Sequence, residues 1–410
     1  MIDVPANWRR CCASSPGLSS LLSGFVPGRS LANREGDRKG RRQAKEIEKA
    51  ADKPYSLGGF VEFQPTLLGL DRDSAFSRLR FFREDRGNTF DQYNFRLRLE
   101  GSYKKDIFSF FFKTDTLARN DFDGWDEDTR LFEAYLSAKP SPSFIVEAGK
   151  KVMKWGKGYA WNPASFIDRP KNPEDPEEAL EGSTVATADY IRSFDGPLKT
   201  TTLTTALIPV YRHFNAKFGE LYHLNFASKL YLLLYDTDLD FMVFTGPSRT
   251  TRYGFDFSKN LTTNFEVHGE WAVINNFKLN PINAQGTAHT QESEAISYLL
   301  GLRYLTEKET TYILEYYRDG TGFSRGQMKD FFTFVESSYR DFVSTGNDSG
   351  LTRGQRLSKG AYGRANPGRH YLYFRASQKE PFDILYLTPA LTSIVNLTDG
   401  SLSLIPEIAY

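Results

Sequence analysis

Between Phe90 and Tyr103 the chain alternates without interruption. Tyr93, Phe95, Leu97, Leu99, Gly101 and Tyr103 fall on one face, and Asn94, Arg96, Arg98, Glu100 and Ser102 on the other. Successive side chains of a strand point to opposite faces, so one side is apolar and the other densely charged. Lys104-Lys105-Asp106 is a tight polar turn, and Ile107–Leu117 returns as the next strand. The format recurs at Phe265–Val273, where Phe265, Val267, Gly269, Trp271 and Val273 oppose Glu266, His268 and Glu270. It recurs again at Tyr298–Tyr304 and Tyr312–Tyr316, on either side of a Thr306–Glu309 turn.

Further strands are expected at 57–69, 129–139, 143–153, 184–194, 198–210, 226–236, 238–246, 250–259, 371–378, 382–391 and 400–410. The total is about 16 (roughly 14–18), or about 22 residues per strand and connection, which suits antiparallel hairpins. The expected fold class is therefore all-β, an antiparallel transmembrane β-barrel. A soluble β domain would meet its apolar faces in a shared core. In a membrane barrel that face meets lipid, aromatics gather near strand ends, and the polar face lines water. Tyr55, Tyr103, Phe90, Trp271, Tyr298, Tyr304, Tyr312 and Phe382 stand at or near strand ends, and 15 % of all residues are aromatic. Mean hydropathy is only −0.48, as expected where every second residue faces water. No stretch approaches the ~18 apolar residues of a helical span.

Residues 54–410 form the expected barrel. Residues 1–53 differ: they mix arginines with Ser and Gly around one interrupted apolar patch, Leu18–Val26. They read as an atypical start, disordered in the mature protein, with a degenerate secretory signal as the alternative. The 52 basic and 51 acidic residues nearly cancel, so no whole-chain nucleic-acid footprint exists. Cys11 and Cys12 are the only cysteines and are adjacent, which provides neither a disulfide framework nor a Cys-based metal site.

Two long connections interrupt the strands. In 154–183, alternation stops at Trp155-Gly156 and gives way to Pro163, Pro170, Pro173 and Pro176, with Trp155, Tyr159, Trp161, Asp168 and Arg169 close together. Loops this long inside a compact domain are usually functional or disordered. This one is the candidate constriction, at the mouth or in the bore, with Trp155 and Trp161 as anchors and the acids from Glu174 to Glu181 as a solvated arm. The second, 319–369, is expected to hold an amphipathic helix near 327–342, with Met328, Phe331, Phe332, Val335, Tyr339 and Phe342 near one face, packed on the rim.

Candidate lumen-lining residues are Arg96, Arg98, Glu100, Glu266, His268, Glu270, Arg303 and Glu315. Glu266-x-His268-x-Glu270 puts three ligand-type side chains on one face, but the spacing supplies no further ligands, so the reading is a wall of mixed charge rather than a metal site. Histidines 213, 223, 268, 289 and 370 have no catalytic spacing, and Gly-x-Ser-x-Gly does not occur. Neither an enzyme nor a cofactor is expected.

The run GKKVMKWGKG followed by WNP, then prolines and acids, resembles the WG…NP hallmark of porin-like outer-membrane barrels of Gram-negative bacteria, many of unknown function. EYYRDGTGFS and NLTDGSLSLIPEIAY are similar to later strands of that group. The resemblance implies an outer-membrane location in a Gram-negative bacterium and a passive or substrate-selective pore for small solutes. The lipid bilayer is then the main partner, with a homo-oligomer or a partner protein as further expectations. A structural barrel that houses a partner protein in its bore is the alternative. Where this sequence stops at Tyr410, such barrels usually add a further strand ending in an aromatic. Leu402, Leu404, Ile408 and Tyr410 alternate, and a terminal aromatic suits a barrel-closing strand; a barrel that lacks its final strand is the alternative expectation.

Overall fold

The computed structural model describes residues 53–84, 87–176 and 178–410. The expectation for the first 53 residues therefore falls, except for Lys53, outside the described residues. Sixteen strands form one antiparallel sheet in which each pairs with its neighbours in sequence. They are β1 (Tyr55–Gly69), β2 (Thr89–Lys105), β3 (Phe108–Asp121), β4 (Gly124–Ser141), β5 (Phe144–Lys151), β6 (Ser183–Ser193), β7 (Leu198–Val210) and β8 (His223–Leu234). The second half is β9 (Thr237–Thr245), β10 (Arg252–Thr262), β11 (Phe265–Leu279), β12 (Gln291–Leu305), β13 (Thr310–Arg318), β14 (His370–Gln378), β15 (Thr388–Asn396) and β16 (Leu402–Ala409).

Most connections sort by end. Those at 106–107, 142–143, 194–197, 235–236, 263–264 and 306–309 are tight turns at one end of the sheet, which also carries the longer 379–387, while the two-residue turn 122–123 lies at the other end. Tyr235 and Asp236 both take positive φ, 51° and 54°, the backbone that lets a two-residue loop match the twist of its strands. At the other end lie 70–88, 152–182, 211–222, 280–290 and 319–369. One expected strand, 382–391, begins later. Residues 381–386 form a turn with positive φ at Phe382, Asp383 and Tyr386, and β15 starts only at Thr388. The apolar alternation of Phe382, Ile384 and Tyr386 imitates a strand, but those side chains are exposed.

Among the described residues the long-connection end carries three α-helices: α1 (Ala75–Phe81), α2 (Arg325–Thr345) and α3 (Ser349–Ser358). α2 starts where Ser324 and Gln327 form a reciprocal capping box and stops at Gly346, whose φ of 76° suits a left-handed cap. Its apolar face, with Met328, Phe331 and Val335 buried, packs on α1, α3, Phe323 and Tyr362. Tyr362 lies parallel to Phe323 at 3.9 Å and to Phe331 at 4.3 Å. Arg78 of α1 pairs with Glu336 of α2. The β1–β2 and β13–β14 connections are thereby clasped together.

That clasp requires the sheet to curl, and the concave face confirms it. Residues 152–182 make contacts on strands from β2 to β16: Glu178 with Arg96, Trp161 with Tyr317 and Tyr371, and one apolar cluster that includes Ile405. A sheet whose two ends both reach the same enclosed segment is rolled into a barrel around it. β1 pairs only with β2 and β16 only with β15. Among the described residues no register joins the two along the seam, and their outward side chains are the barest: Val61 is 80 % and Ile408 70 % exposed, against 40 % for Leu97.

The convex face is apolar. Phe95, Leu97, Leu99, Phe110, Leu136, Leu207, Phe226, Phe241, Trp271, Leu300 and Leu314 all point outward and stay exposed. Trp125 and Trp271 belong to this face, whereas Trp155 and Trp161 are buried in the bore. Single-tryptophan variants in a brominated detergent are therefore expected to show strong quenching of Trp125 and Trp271 and little of Trp155 and Trp161. Equal quenching of Trp161 and Trp271 would contradict the inside–outside assignment.

Candidate constriction site

β5 ends at Lys151, and the backbone turns inward through two positive-φ residues, Lys154 at 55° and Gly156 at 92°. Asp168 closes the first loop. Its carboxylate accepts from the amides of Met153 (2.7 Å) and Lys154 (2.8 Å) and from Ser165 Oγ (3.0 Å). Residues 153–168 are thus a compact loop tied at its neck, aimed across the bore.

Two wall carboxylates receive the tip. Glu270, on β11, accepts at Oε1 from the amides of Lys157 (2.7 Å) and Gly158 (2.6 Å) and from Asn162 Nδ2 (3.1 Å). Its Oε2 accepts from the amide of Ala164 at 3.1 Å. Glu315, on β13, accepts from the amides of Tyr159 and Ala160, and His268 Nε2 lies 2.9 Å from its Oε1. Both carboxylates are nearly inaccessible, at 3 % and 0 %. A buried charge is tolerated only when its lone pairs are met, and here backbone amides meet them.

The glycines of the Trp-Gly-Lys-Gly run now have a local reason. A Cβ on Gly156 would lie 2.8 Å from Glu270 Oε1, and one on Gly158 2.0 Å from the Trp161 carbonyl. Side chains there would hold the amides away from their acceptor. Asn162 of the Asn-Pro pair donates to the same oxygen.

Apolar contacts fix the two flanks. Trp161 stacks on Tyr317 at 5.2 Å and meets Tyr371 and Tyr373 at 5.7 and 6.0 Å. Trp155, Phe166 and Ile167 fill the opposite side against Ile208, Met242 and Phe244. Between them Lys157 reaches Asp240 of β9 at 3.2 Å. Asp240, Asp256 and Glu270 stand side by side in register on β9, β10 and β11. The electrostatic field of that row suits the cation: Asp240 and Asp256 hold the Lys157 ammonium above its ordinary value despite the lowering effect of burial, which is the largest single influence.

The second arm, 169–182, returns along the other wall. Lys171 Nζ donates to the carbonyls of Gly158 (2.8 Å) and Tyr159 (3.1 Å), and burial lowers its pKa against the pull of Glu270 and Glu315. Glu178 pairs with Arg96 at 2.9 Å. Glu181 pairs with Lys150 at 2.5 Å and Arg169 at 2.7 Å. These two acids of the expected solvated arm are thus engaged with basic side chains.

The structure brings Trp155, Tyr159, Trp161, Asp168, His268, Glu270 and Glu315 into one assembly. Arg96 joins it through Glu178, and Arg98 adjoins Arg96 through a shared Asp115, at 2.7 Å from Arg98 and 3.7 Å from Arg96. Glu100, paired with Lys113 at 3.2 Å, and Arg303 stand apart, nearer the tight-turn end. Glu266, opposite Arg303 in register, meets the assembly only through His268 Nδ1 at 3.5 Å. Sequence reasoning missed Asp115, Asp240 and Asp256, although each occupies an inward-facing strand position. On the other side of the segment a cavity of about 2710 Å³ extends to the helices, bounded by Phe81, Arg169, Phe332, Arg249 and Arg252 among others. Among the described residues no His/Cys/Asp/Glu group is arranged to hold a metal ion.

Replacing Glu270 with Ala would leave three backbone amides and the Asn162 amide without their acceptor. The expected cost is on the order of 3 kcal/mol, accompanied by new tryptic cleavage at Lys154 or Lys157. An unchanged thermal midpoint with unchanged resistance to trypsin would contradict the pinning role of Glu270.

No family model matches the chain, and no curated protein matches it. Among solved structures, a triple mutant of the Rhodopseudomonas blastica porin is similar over 87 % of this chain and 99 % of its own, at 10 % identity and a TM-score of 0.45. A second, titled "Asymmetric conductivity of engineered proteins", has the same coverages at 10 % identity and 0.43. At these scores the barrel assignment rests on the strand register and the bore contacts themselves.

Proposed function

We propose that this chain is an outer-membrane channel of the porin-like kind, through which small solutes pass a bore narrowed by residues 152–182. The observation that carries the reading is that segment: it is folded inward and pinned to the wall by Glu270 and Glu315. A cover at the mouth would have no need of carboxylates buried partway down the barrel. The membrane part of the reading is supported by the convex face. An exposed apolar belt on strand after strand is unfavourable in water and suited to lipid. The gathering of the longest connections at one end and of most tight turns at the other is the habit of outer-membrane barrels.

Passage, rather than catalysis, fits the chemistry inside. The bore carries fixed charges of both signs: Arg96, Arg98 and Asp115 on one wall, Lys157 and Asp240 on the other. Such a lumen would orient charged or dipolar solutes as they cross. The WG…NP family, a Gram-negative source and self-association belong to the same proposal.

Conductance of the purified protein in planar bilayers tests it. Discrete open-channel current is expected, and deletion of residues 160–180 should raise it. No open current for either form across pH and salt would overturn the channel and favour a barrel that houses a partner. Unchanged conductance after deletion would remove the constriction role alone.

A further inference from the structure

Of the basic side chains that border the cavity, Arg80, Lys150, Arg169, Arg340 and Arg364 form ion pairs. Lys171 and Arg325 donate to backbone carbonyls, and Lys154, Lys217 and Lys329 are exposed to water. Arg249 and Arg252 are withdrawn from water and yet lack an acidic partner. Arg249 lies in the β9–β10 connection at the long-connection end and Arg252 opens β10; both border the cavity, and among the described residues neither forms an ion pair. Arg249 lies over the Phe218 ring at 3.7 Å, and its Nε donates to the Phe218 carbonyl. Its Nη1 reaches only the Phe166 carbonyl, at 3.5 Å. The Arg252 side chain makes no hydrogen bond, its Nε is buried without an acceptor, and its guanidinium lies 5.9 Å from the Phe244 ring.

The backbone beneath them is firm. Ser248 N donates to Asn225 Oδ1 at 3.0 Å, Asn225 Nδ2 to Ser248 Oγ at 2.9 Å, and Ser248 Oγ to the Glu220 carbonyl at 2.8 Å. Arg249 is therefore presented rather than free to swing away. Burial, followed by the neighbouring Arg252, pushes the Arg249 guanidinium down to about 9. Two adjacent like charges withdrawn from water without a counter-charge are costly. Planar guanidinium forks are also the groups best shaped to take an oxyanion through paired N–H bonds.

We propose that Arg249 and Arg252 form an anion-binding site in the vestibule wall, taking a carboxylate, sulfate or phosphate group of a small solute. The site stands apart from the channel reading, and only the identification of its occupants as solutes in transit rests on that reading. Its place beside Phe166 of the inward segment sets it at the approach to the narrowing. An anionic solute would be concentrated there before it crosses.

The test uses the full chain in detergent, titrated calorimetrically with sodium phosphate, sulfate and acetate, each against chloride at equal ionic strength. Saturable binding of at least one oxyanion, one per chain, is expected, and the three arms identify the preferred group. Arg252→Gln and Arg249→Gln should each weaken binding at least ten-fold, and Arg252→Lys should lie between. Arg340→Gln, at a cavity-lining residue paired with Glu336, should leave binding unchanged. If no oxyanion binds the wild-type protein better than chloride, the site does not exist, and that result needs no variant. Wild-type affinity in Arg252→Gln would overturn the assignment equally. Because binding is read without current, its failure is separable from failure of the channel reading.

Discussion

Two buried carboxylates determine how the inside of this barrel is arranged. A sixteen-stranded sheet encloses more space than its own side chains fill, so a segment that enters must find partners for its polar backbone. Glu270 and Glu315 supply them from the wall, accepting five backbone amides between them. Each ion is satisfied by the segment, and the segment is satisfied by each ion. Neither group would be stable at that depth without the other. The rest follows in order: Trp161 reaches its tyrosines, Lys157 reaches Asp240, and the second arm is directed back to Arg96.

Much of the architecture was legible in the chain. The period of two is clearest where the barrel has two unlike faces, apolar outside and charged inside, as on β2 and β11. On β7 and β9 the inner face is itself apolar at Ile208, Met242 and Phe244, where the inward segment packs. Alternation failed as a guide at Phe382–Tyr386, where apolar residues alternate on a turn with positive φ. It also gave no warning of α1 and α3. Seven and ten residues are too few for a clear helical period, and α3 contains glycines at 350 and 354. The helix of 21 residues was visible because its apolar face is long and its capping box is local.

The inward segment was recognisable as a place where strand order ended, and its residues were singled out together. What they contact was not. Gly158 and Glu270 are 112 positions apart, and Tyr159 and Glu315 156. Such pairings depend on which strands the rolled sheet brings opposite the loop. A wall carboxylate that faces water and one that receives an amide look alike in an alternating strand. Hence Glu266 and Glu270, four residues apart on the same face, take different parts. The first pairs locally with Ser258 and His268, while the second holds the loop. The glycine spacing of Trp-Gly-Lys-Gly gains its meaning only once Glu270 is seen beneath it.

Amide hydrogen exchange on the folded protein tests this account most directly. If Glu270 and Glu315 pin the segment, the amides of Lys157, Gly158, Tyr159, Ala160 and Ala164 should exchange as slowly as those of the central strands. Loops whose amides meet only their own local oxygens, such as 283–287 around Asn283, should exchange far faster. Rapid exchange at those five amides in the intact barrel would contradict the claim that wall carboxylates hold the segment in the bore.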